Sequence, residues 1–182
     1  MMKRLLAGIS VALLAIFAVA CGSNGAAKQS SSNGSKIQVV ASLDFYGEVA
    51  KAVGGNKVSV QSIINNPAVD PHDYEPTTKV GKSVASADLV VASGIGYDGW
   101  MDKVVKSADK SKNYLRVADD LMNKKEGDNE HIWYDPRTMP KLANTLADKF
   151  AKKDPADKAT FKANAKKYIA SLDNLNTLIN KL

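Results

Sequence analysis

The stretch Asp88-Leu89-Val90-Val91-Ala92, followed closely by the loop Gly94-Ile95-Gly96, decides which class of fold the chain adopts. A strand this apolar is expected to be buried on both faces, as the inner strands of a parallel sheet are. The two glycines then end the strand and open a tight loop. The stretch therefore predicts a central strand of a parallel sheet with a loop at its carboxyl end.

Strand-like and helical segments alternate on both sides of this central strand. The other strand-like segments lie at residues 37–41, 58–64 and 114–117. Helical patterns lie between the strands, at residues 44–53, 79–86 and 100–107. Strand and helix alternation with short loops predicts an α/β fold, a doubly wound four-stranded parallel sheet.

The last third of the chain has helical periodicity. Residues 138–152 form an amphipathic pattern, and Asp154-Pro155 is a typical helix start. Beyond it, apolar residues repeat at steps of four and three, at Phe161, Ala165, Tyr168, Leu172, Leu175, Ile179 and Leu182. This apolar seam predicts one helix of about 27 residues, roughly 40 Å long. We interpret it as a helix that leads into a second domain, and a terminal coiled coil is the alternative.

The N-terminus has the pattern of a targeting segment. Lys3 and Arg4 precede an apolar run over residues 5–20, which is short for a membrane span and typical of a signal peptide. The run ends at Ala18-Val19-Ala20-Cys21, which resembles the lipobox of bacterial lipoproteins, although leucine is more usual at Ala18. The alternative is a secreted protein with a free Cys21. Residues 23–35, rich in Gly, Ser and Asn, predict a flexible tether.

Composition excludes several classes of function. The formal charge is +6, but the lysines are spread along the chain without an aromatic-lined basic stripe, so nucleic-acid binding is not expected. One cysteine excludes an internal disulfide and a zinc site of several thiolates. Two histidines exclude a three-histidine site within one copy of the chain.

Both histidines lie in stiff loops that contain proline. His72 belongs to Asp70-Pro71-His72-Asp73-Tyr74-Glu75-Pro76-Thr77, and His131 belongs to Glu130-His131-Ile132-Trp133-Tyr134-Asp135-Pro136. They follow the second and fourth predicted strands, so both are expected at the carboxyl edge of the sheet, where ligands bind in such folds. The sequence therefore predicts that His72 and His131 are metal ligands.

Other residues in these loops have two interpretations. Glu75 and Asp135 either hydrogen-bond the imidazoles and orient them or only cap the loops. Trp100, Trp133 and Tyr74 are expected to pack rather than to contact a ligand.

The two histidine motifs, the glycine loop and the long helix together resemble the metal-binding lipoproteins of bacterial ABC importers for zinc and manganese, the adhesin-like cluster A-I binding proteins. The resemblance extends from the leader to Leu182. It implies capture of Zn²⁺ or Mn²⁺ at the extracellular face of the cell membrane, by a lipid-anchored protein that delivers the ion to a membrane permease. It also implies one lobe of a two-lobe periplasmic-binding-protein-like fold.

Two departures from the family pattern stand out. Lys79 and Val80 stand where an acid commonly opens a helix. The family takes its third and fourth ligands, a His or Glu and an Asp, from a second lobe, and no matching position exists here. The expected organisation is therefore a signal peptide (1–20), a tether (21–35), an N-terminal metal-binding lobe (36–153) and an interlobe helix (154–182), with the second lobe absent.

The main hypothesis is a solute-binding protein that is not an enzyme. Its metal remains open, with a slight preference for zinc from the Asp135-Pro136 ending of the second motif. A zinc-dependent hydrolase with Glu75 or Asp135 as base is the rival, but the chain lacks the short histidine spacing on a helix that many such enzymes have. A role as surface adhesin rests on family association alone.

Cys21→Ser is expected to release the processed protein from membranes, because an acylated cysteine would provide the anchor and stable anchoring takes two acyl chains or an equivalent second signal. Membrane fractionation after signal processing checks this, with Ser23→Ala as the control. Equal membrane retention of the processed Cys21→Ser protein would contradict the lipid anchor.

Overall fold

A computed structural model describes residues 35–179 and residue 181. The predicted signal peptide, Cys21 and the tether before Ser35 lie outside the described residues. Within the described part, no helix is both long and apolar enough to cross a membrane.

Strands and helices alternate in this part of the chain in the order that the sequence predicts. The strands are β1 (Ile37–Leu43), β2 (Val58–Ile64), β3 (Leu89–Ala92) and β4 (Tyr114–Arg116). The helices are α1 (Asp44–Gly54), α2 (Thr78–Ser86), α3 (Trp100–Ser107), α4 (Thr138–Lys153), α5 (Lys158–Ser171) and α6 (Asp173–Ile179).

The four strands form one parallel sheet in the order β2-β1-β3-β4. Val39 of β1 lies between Val60 of β2 and Leu89 of β3, and Val91 of β3 pairs with Leu115 of β4. The chain adds β2 on one side of β1 and then β3 and β4 on the other. The prediction of a doubly wound α/β fold with a four-stranded parallel sheet is confirmed.

Two groups of helices cover the sheet. Helices α1, α4 and α5 pack against one another, and α1 also packs on β1 and β2. Helices α2 and α3 form the second group, with α2 on β1. All four residues of β3 are buried, as expected for an apolar strand at an inner position of a parallel sheet.

The predicted long helix is present, with a local interruption. One 3₁₀ turn at Pro155–Asp157 leads into α5, and α6 follows after Leu172. The Leu172 N–H donates to the Ile169 carbonyl at 3.0 Å, an i to i−3 bond that tightens the helix at this point. The side chains of Ile179 and Leu182, the last two positions of the predicted seam, lie outside the described residues.

Burial of the apolar seam decreases along this helix. Phe161 and Ala165 are buried, and the Phe161 ring lies edge-on to Phe150 with 5.6 Å between centroids. Farther along, Leu175 and Leu178 are 55% and 61% exposed. The start of the helix therefore belongs to the core of this lobe, whereas α6 has apolar side chains in solvent.

Two polar contacts fix the start of the helix against the rest of the lobe. Lys57 Nζ lies 2.7 Å from Asp157 Oδ2. The Asn164 side-chain amide donates to the Val53 carbonyl at the end of α1, at 3.0 Å. Because both contacts reach the α1–β2 connection, α5 is oriented by packing and by hydrogen bonding.

Phe161→Ala is expected to lower the free energy of unfolding by about 3–5 kcal/mol, because it removes a buried ring from between α4 and α5. Leu175→Ala on α6 is the matched control and should change stability by less than about 0.5 kcal/mol. Urea denaturation of both variants checks this. Equal loss of stability in the two variants would show that the seam is uniformly buried in solution.

Candidate metal site at the carboxyl edge of the sheet

The loops that follow the four strands meet at the carboxyl edge of the sheet and enclose a cleft of about 600 Å³. Residues 43–45 at the junction of β1 and α1, residues 64 and 66–72 at and after the end of β2, and Tyr97 after β3 line it. His131, Trp133 and Tyr134, from the long segment after β4, complete the lining. Both predicted ligands, His72 and His131, thus lie in one cleft at the predicted edge.

Each histidine is held by the same local device. The His72 N–H donates to Asp70 Oδ1 at 2.9 Å, and the His131 N–H donates to Asn129 Oδ1 at 3.0 Å. In both loops an Asp or Asn two residues before the histidine closes a short turn through its own side chain. The turns fix the backbone of each histidine from sequence neighbours alone.

The tautomer of His131 follows from its second contact with Asn129. The same Asn129 Oδ1 lies 3.1 Å from His131 Nδ1. Asn129 Oδ1 already accepts the backbone N–H of His131, so it is the amide oxygen and can only accept. His131 Nδ1 must therefore carry the hydrogen in this second contact. In the neutral imidazole, Nε2 then carries the free lone pair, which is the form that binds a metal ion.

The ring of Tyr97 contacts both imidazoles. Its ring centroid is 5.0 Å from that of His72 and 5.9 Å from that of His131, with both imidazoles tilted steeply to the phenol ring. Trp133 packs against Tyr97 at 4.9 Å and against His131 at 5.2 Å. Trp133 therefore supports the site by packing, while Trp100 is buried and packs against Tyr74.

Tyr97 is presented by a loop in an unusual backbone conformation. Gly94, Ile95 and Gly96 have φ values of +90°, +44° and +93°. Such angles suit glycine and are strained for the β-branched Ile95. A Cβ atom at Gly94 would also collide with Asp119 Oδ2, so glycine is required there for space as well as conformation.

Two carboxylates hold this loop in place. Asp98 accepts the N–H groups of Ser93 and Gly94 at 2.7 and 3.0 Å, and Asp119 accepts that of Ile95 at 3.2 Å. Burial raises the pKa of Asp98, while the backbone donors act in the opposite direction. Neither acid was predicted as a positioning residue, although an acid two residues after a Gly-x-Gly loop was the available signal for Asp98.

The acid that contacts an imidazole is one that the sequence analysis did not select. Glu130 Oε1 lies 2.9 Å from His72 Nε2. By contrast, Asp135 pairs with Arg137, whose hydrogen bonds lower the pKa of Asp135 to about 2. Glu75 is exposed and makes no hydrogen bond or ion pair with another described residue. The suggested role of Glu75 and Asp135 in orienting the imidazoles stays a prediction.

The charges around the cleft favour a cation. Burial raises the pKa of Tyr97, and the negative charges of Asp70 and Glu130 raise it further. The phenol is therefore neutral at physiological pH, and the lining combines carboxylates with neutral donors. Over residues 35–179 and 181, no three His, Cys, Asp or Glu side chains are already grouped as a metal site.

Comparison with known proteins gives curated relatives that transport metals. The chain is 32% identical over 187 residues to the manganese ABC transporter substrate-binding lipoprotein PsaA of Streptococcus pneumoniae serotype 4, covering 96% of this chain and 59% of PsaA. It is 31% identical over 179 residues to the iron ABC transporter substrate-binding lipoprotein MtsA of Streptococcus pyogenes serotype M1, covering 91% and 56%. The chain thus spans less than two thirds of these relatives.

Solved structures share the fold. The metal-dependent lipoprotein YcdH of Bacillus subtilis matches with a TM-score of 0.68 at 29% identity, over 79% of this chain and 54% of that one. The periplasmic zinc-binding protein TroA of Treponema pallidum matches with a TM-score of 0.70, over 80% and 55%; at 20% identity this likeness concerns the fold alone.

The family model for the periplasmic zinc-uptake complex component A matches residues 39–182, which include all of the parallel sheet except the first two residues of β1, both histidine loops and the long helix. The chain therefore belongs to this family of metal-uptake proteins.

Proposed function

We propose that the chain is the N-terminal metal-binding lobe of a solute-binding lipoprotein, which captures Zn²⁺ or Mn²⁺ outside the cell for an ABC importer. The observation that carries the proposal is that His72 and His131, 59 residues apart in sequence, line one cleft and both contact the ring of Tyr97. Imidazole nitrogen suits zinc and is accepted by manganese, and carboxylate oxygen suits both.

The proposed site binds its metal as cargo. A metal that hydrolyses a substrate keeps an open position for water, whereas a transport site gains from surrounding the ion with protein ligands. Here the metal would be held by His72 and His131, with Glu75 and Asp135 as the acids expected near them. The strained and hydrogen-bonded loop that presents Tyr97 would keep the cleft in shape for the ion.

The identity of the metal ion is less constrained than the position of its binding site. The relatives above are named for manganese and for iron, and the matching family model for zinc uptake. Two imidazoles with carboxylates are compatible with zinc and manganese, and coordination number separates the two better than donor type does. We retain Zn²⁺ and Mn²⁺ as the two proposed substrates.

The proposed partners are a membrane permease and the membrane itself, through a lipid on Cys21. In a longer protein the remaining ligands would come from a second lobe, reached along α5 and α6. In these 182 residues, water and local carboxylates would fill the positions that the two imidazoles leave open. The hydrolase alternative is tested with an ester and peptide panel in the presence of zinc, where activity that His72→Ala abolishes would favour it.

Zinc binding is expected to depend on both histidines. His72→Ala and His131→Ala should each weaken it by at least about tenfold, because each removes one of the imidazole ligands. In the loaded protein the two coordinating nitrogens should lie about 3–4 Å apart, as two ligands of a tetrahedral zinc do. Isothermal titration and a zinc-bound structure check these expectations.

The control for this titration is Lys112→Ala, an exposed residue two positions before β4 at the opposite edge of the sheet. It should bind zinc like the unaltered chain. Full zinc affinity in either histidine variant, or imidazoles held more than about 8 Å apart on rigid loops, would contradict the site.

The isolated 182-residue chain is expected to bind zinc far more weakly than a longer protein of this fold such as YcdH, of which it covers 54%, because two imidazoles supply half of a tetrahedral shell. It is also expected to self-associate through the exposed side chains of Leu175 and Leu178. Titration calorimetry and sedimentation velocity check the two expectations. Leu175→Glu with Leu178→Glu should restore the monomer, whereas Thr177→Glu, an exposed polar position on α6, should not.

Tight one-to-one binding of zinc by a monomer, equal to that of YcdH, would contradict this picture. It would show that the lobe completes the coordination shell from its own residues.

A further inference from the structure

The contact between Glu130 and His72 joins the two histidine loops across 58 residues of sequence. His72 is 42% exposed at its side chain and Glu130 is 28% exposed, so neither side chain is sealed in the core. The function proposed above gives Glu130 no role. Its carboxylate nevertheless occupies a nitrogen of a proposed metal ligand.

The nitrogen that contacts Glu130 indicates on which side of the His72 imidazole the metal ion would bind. Glu130 directly precedes His131, so Nε2 of His72 faces the loop that carries the second imidazole. Nδ1 lies on the other edge of the same ring. An ion that binds both histidines has to lie between the two loops, which is the side of Nε2 and of the Glu130 carboxylate.

The distance between the two atoms is close to that of neighbouring ligands on one metal ion. Ligand atoms at 2.0–2.2 Å from a tetrahedral zinc are about 3.3 Å from each other. His72 Nε2 and Glu130 Oε1 are 2.9 Å apart. Opening the pair by roughly 0.4 Å would therefore let an ion bind both atoms, which a small side-chain rotation supplies.

Charge also favours the carboxylate as a ligand. Two neutral imidazoles leave the double positive charge of the ion uncompensated in a partly enclosed cleft. Burying such a charge is costly unless an opposite charge is adjacent. Glu130 supplies that charge at the imidazole itself. Asp135, the other acid considered near the site, already pairs with Arg137 and is therefore less available to the ion.

We propose that Glu130 is a metal ligand: the ion replaces the hydrogen between His72 Nε2 and Glu130 Oε1, and His131 completes a donor set of two imidazoles and one carboxylate within this lobe. The proposal rests on the proposed function, since it concerns the same ion. Because the described residues hold no group of three such side chains in advance, His131 joins the pair when the ion binds.

Zinc titration of the whole chain tests the proposal. Glu130→Gln keeps the size and a hydrogen-bonding group but removes the charge, and it should weaken zinc binding by at least about tenfold, since even hydrogen-bond partners of metal ligands are worth that much. The matched control is Glu126→Gln, an exposed glutamate of the same loop, which should leave zinc affinity unchanged. Circular dichroism melting confirms that both variants are folded.

A second measurement separates a ligand from a residue that only orients the ring. Nitrogen-15 NMR of the His72 imidazole identifies which ring nitrogen binds zinc, and Nε2 is expected. Zinc on Nδ1, with the Nε2 hydrogen still held by Glu130, would overturn the proposal and leave Glu130 as a positioning residue.

The remaining outcomes distinguish this inference from the proposed function. If the unaltered chain binds zinc and loses it in His72→Ala, while Glu130→Gln binds equally or more tightly, the ligand role of Glu130 alone is overturned. If the unaltered chain binds neither Zn²⁺ nor Mn²⁺, the proposed function fails and the ligand role fails with it.

Discussion

Parallel pairing of β1 with β3 and of β3 with β4 is the constraint on which the cleft depends. Parallel strands all end at the same edge of the sheet, so every connection that leaves a carboxyl end starts there. The chain uses this edge four times, with a direct passage from β1 into α1, a proline-rich loop after β2, a glycine loop after β3 and a long segment with only short helical turns after β4. The cleft is the space between these four connections.

Rigidity at this edge comes from side chains that bind the backbone. Asp70 and Asn129 close turns onto the histidines that follow them, and Asp98 and Asp119 hold the loop that presents Tyr97. The positive φ angle of Ile95 shows that the loop is held against local preference. Polar contacts of this kind allow an edge made of loops to keep imidazoles in place without a helix or strand beneath them.

The lobe has a closed hydrophobic core, but two of its surfaces are exposed to solvent. Phe150 and Phe161 close the hydrophobic interior beneath α5, and the sheet is covered by two groups of helices. In contrast, the cleft is accessible at the carboxyl edge, and α6 exposes Leu175 and Leu178. Both exposed surfaces are consistent with a chain that spans less than two thirds of the length of its curated metal-transport relatives. The core therefore stabilises the lobe, while the open surfaces concern binding.

The sequence by itself determined the order of strands and helices, the parallel sheet and the loops that carry His72 and His131. These features depend on local signals: apolar runs, proline and glycine positions, and helical periodicity. Only the tertiary structure decided that Glu130 contacts His72, that Asp135 pairs with Arg137, and that burial of the seam fades towards α6. The physical reason is that side-chain partners depend on distances between loops far apart in sequence, which no local pattern encodes.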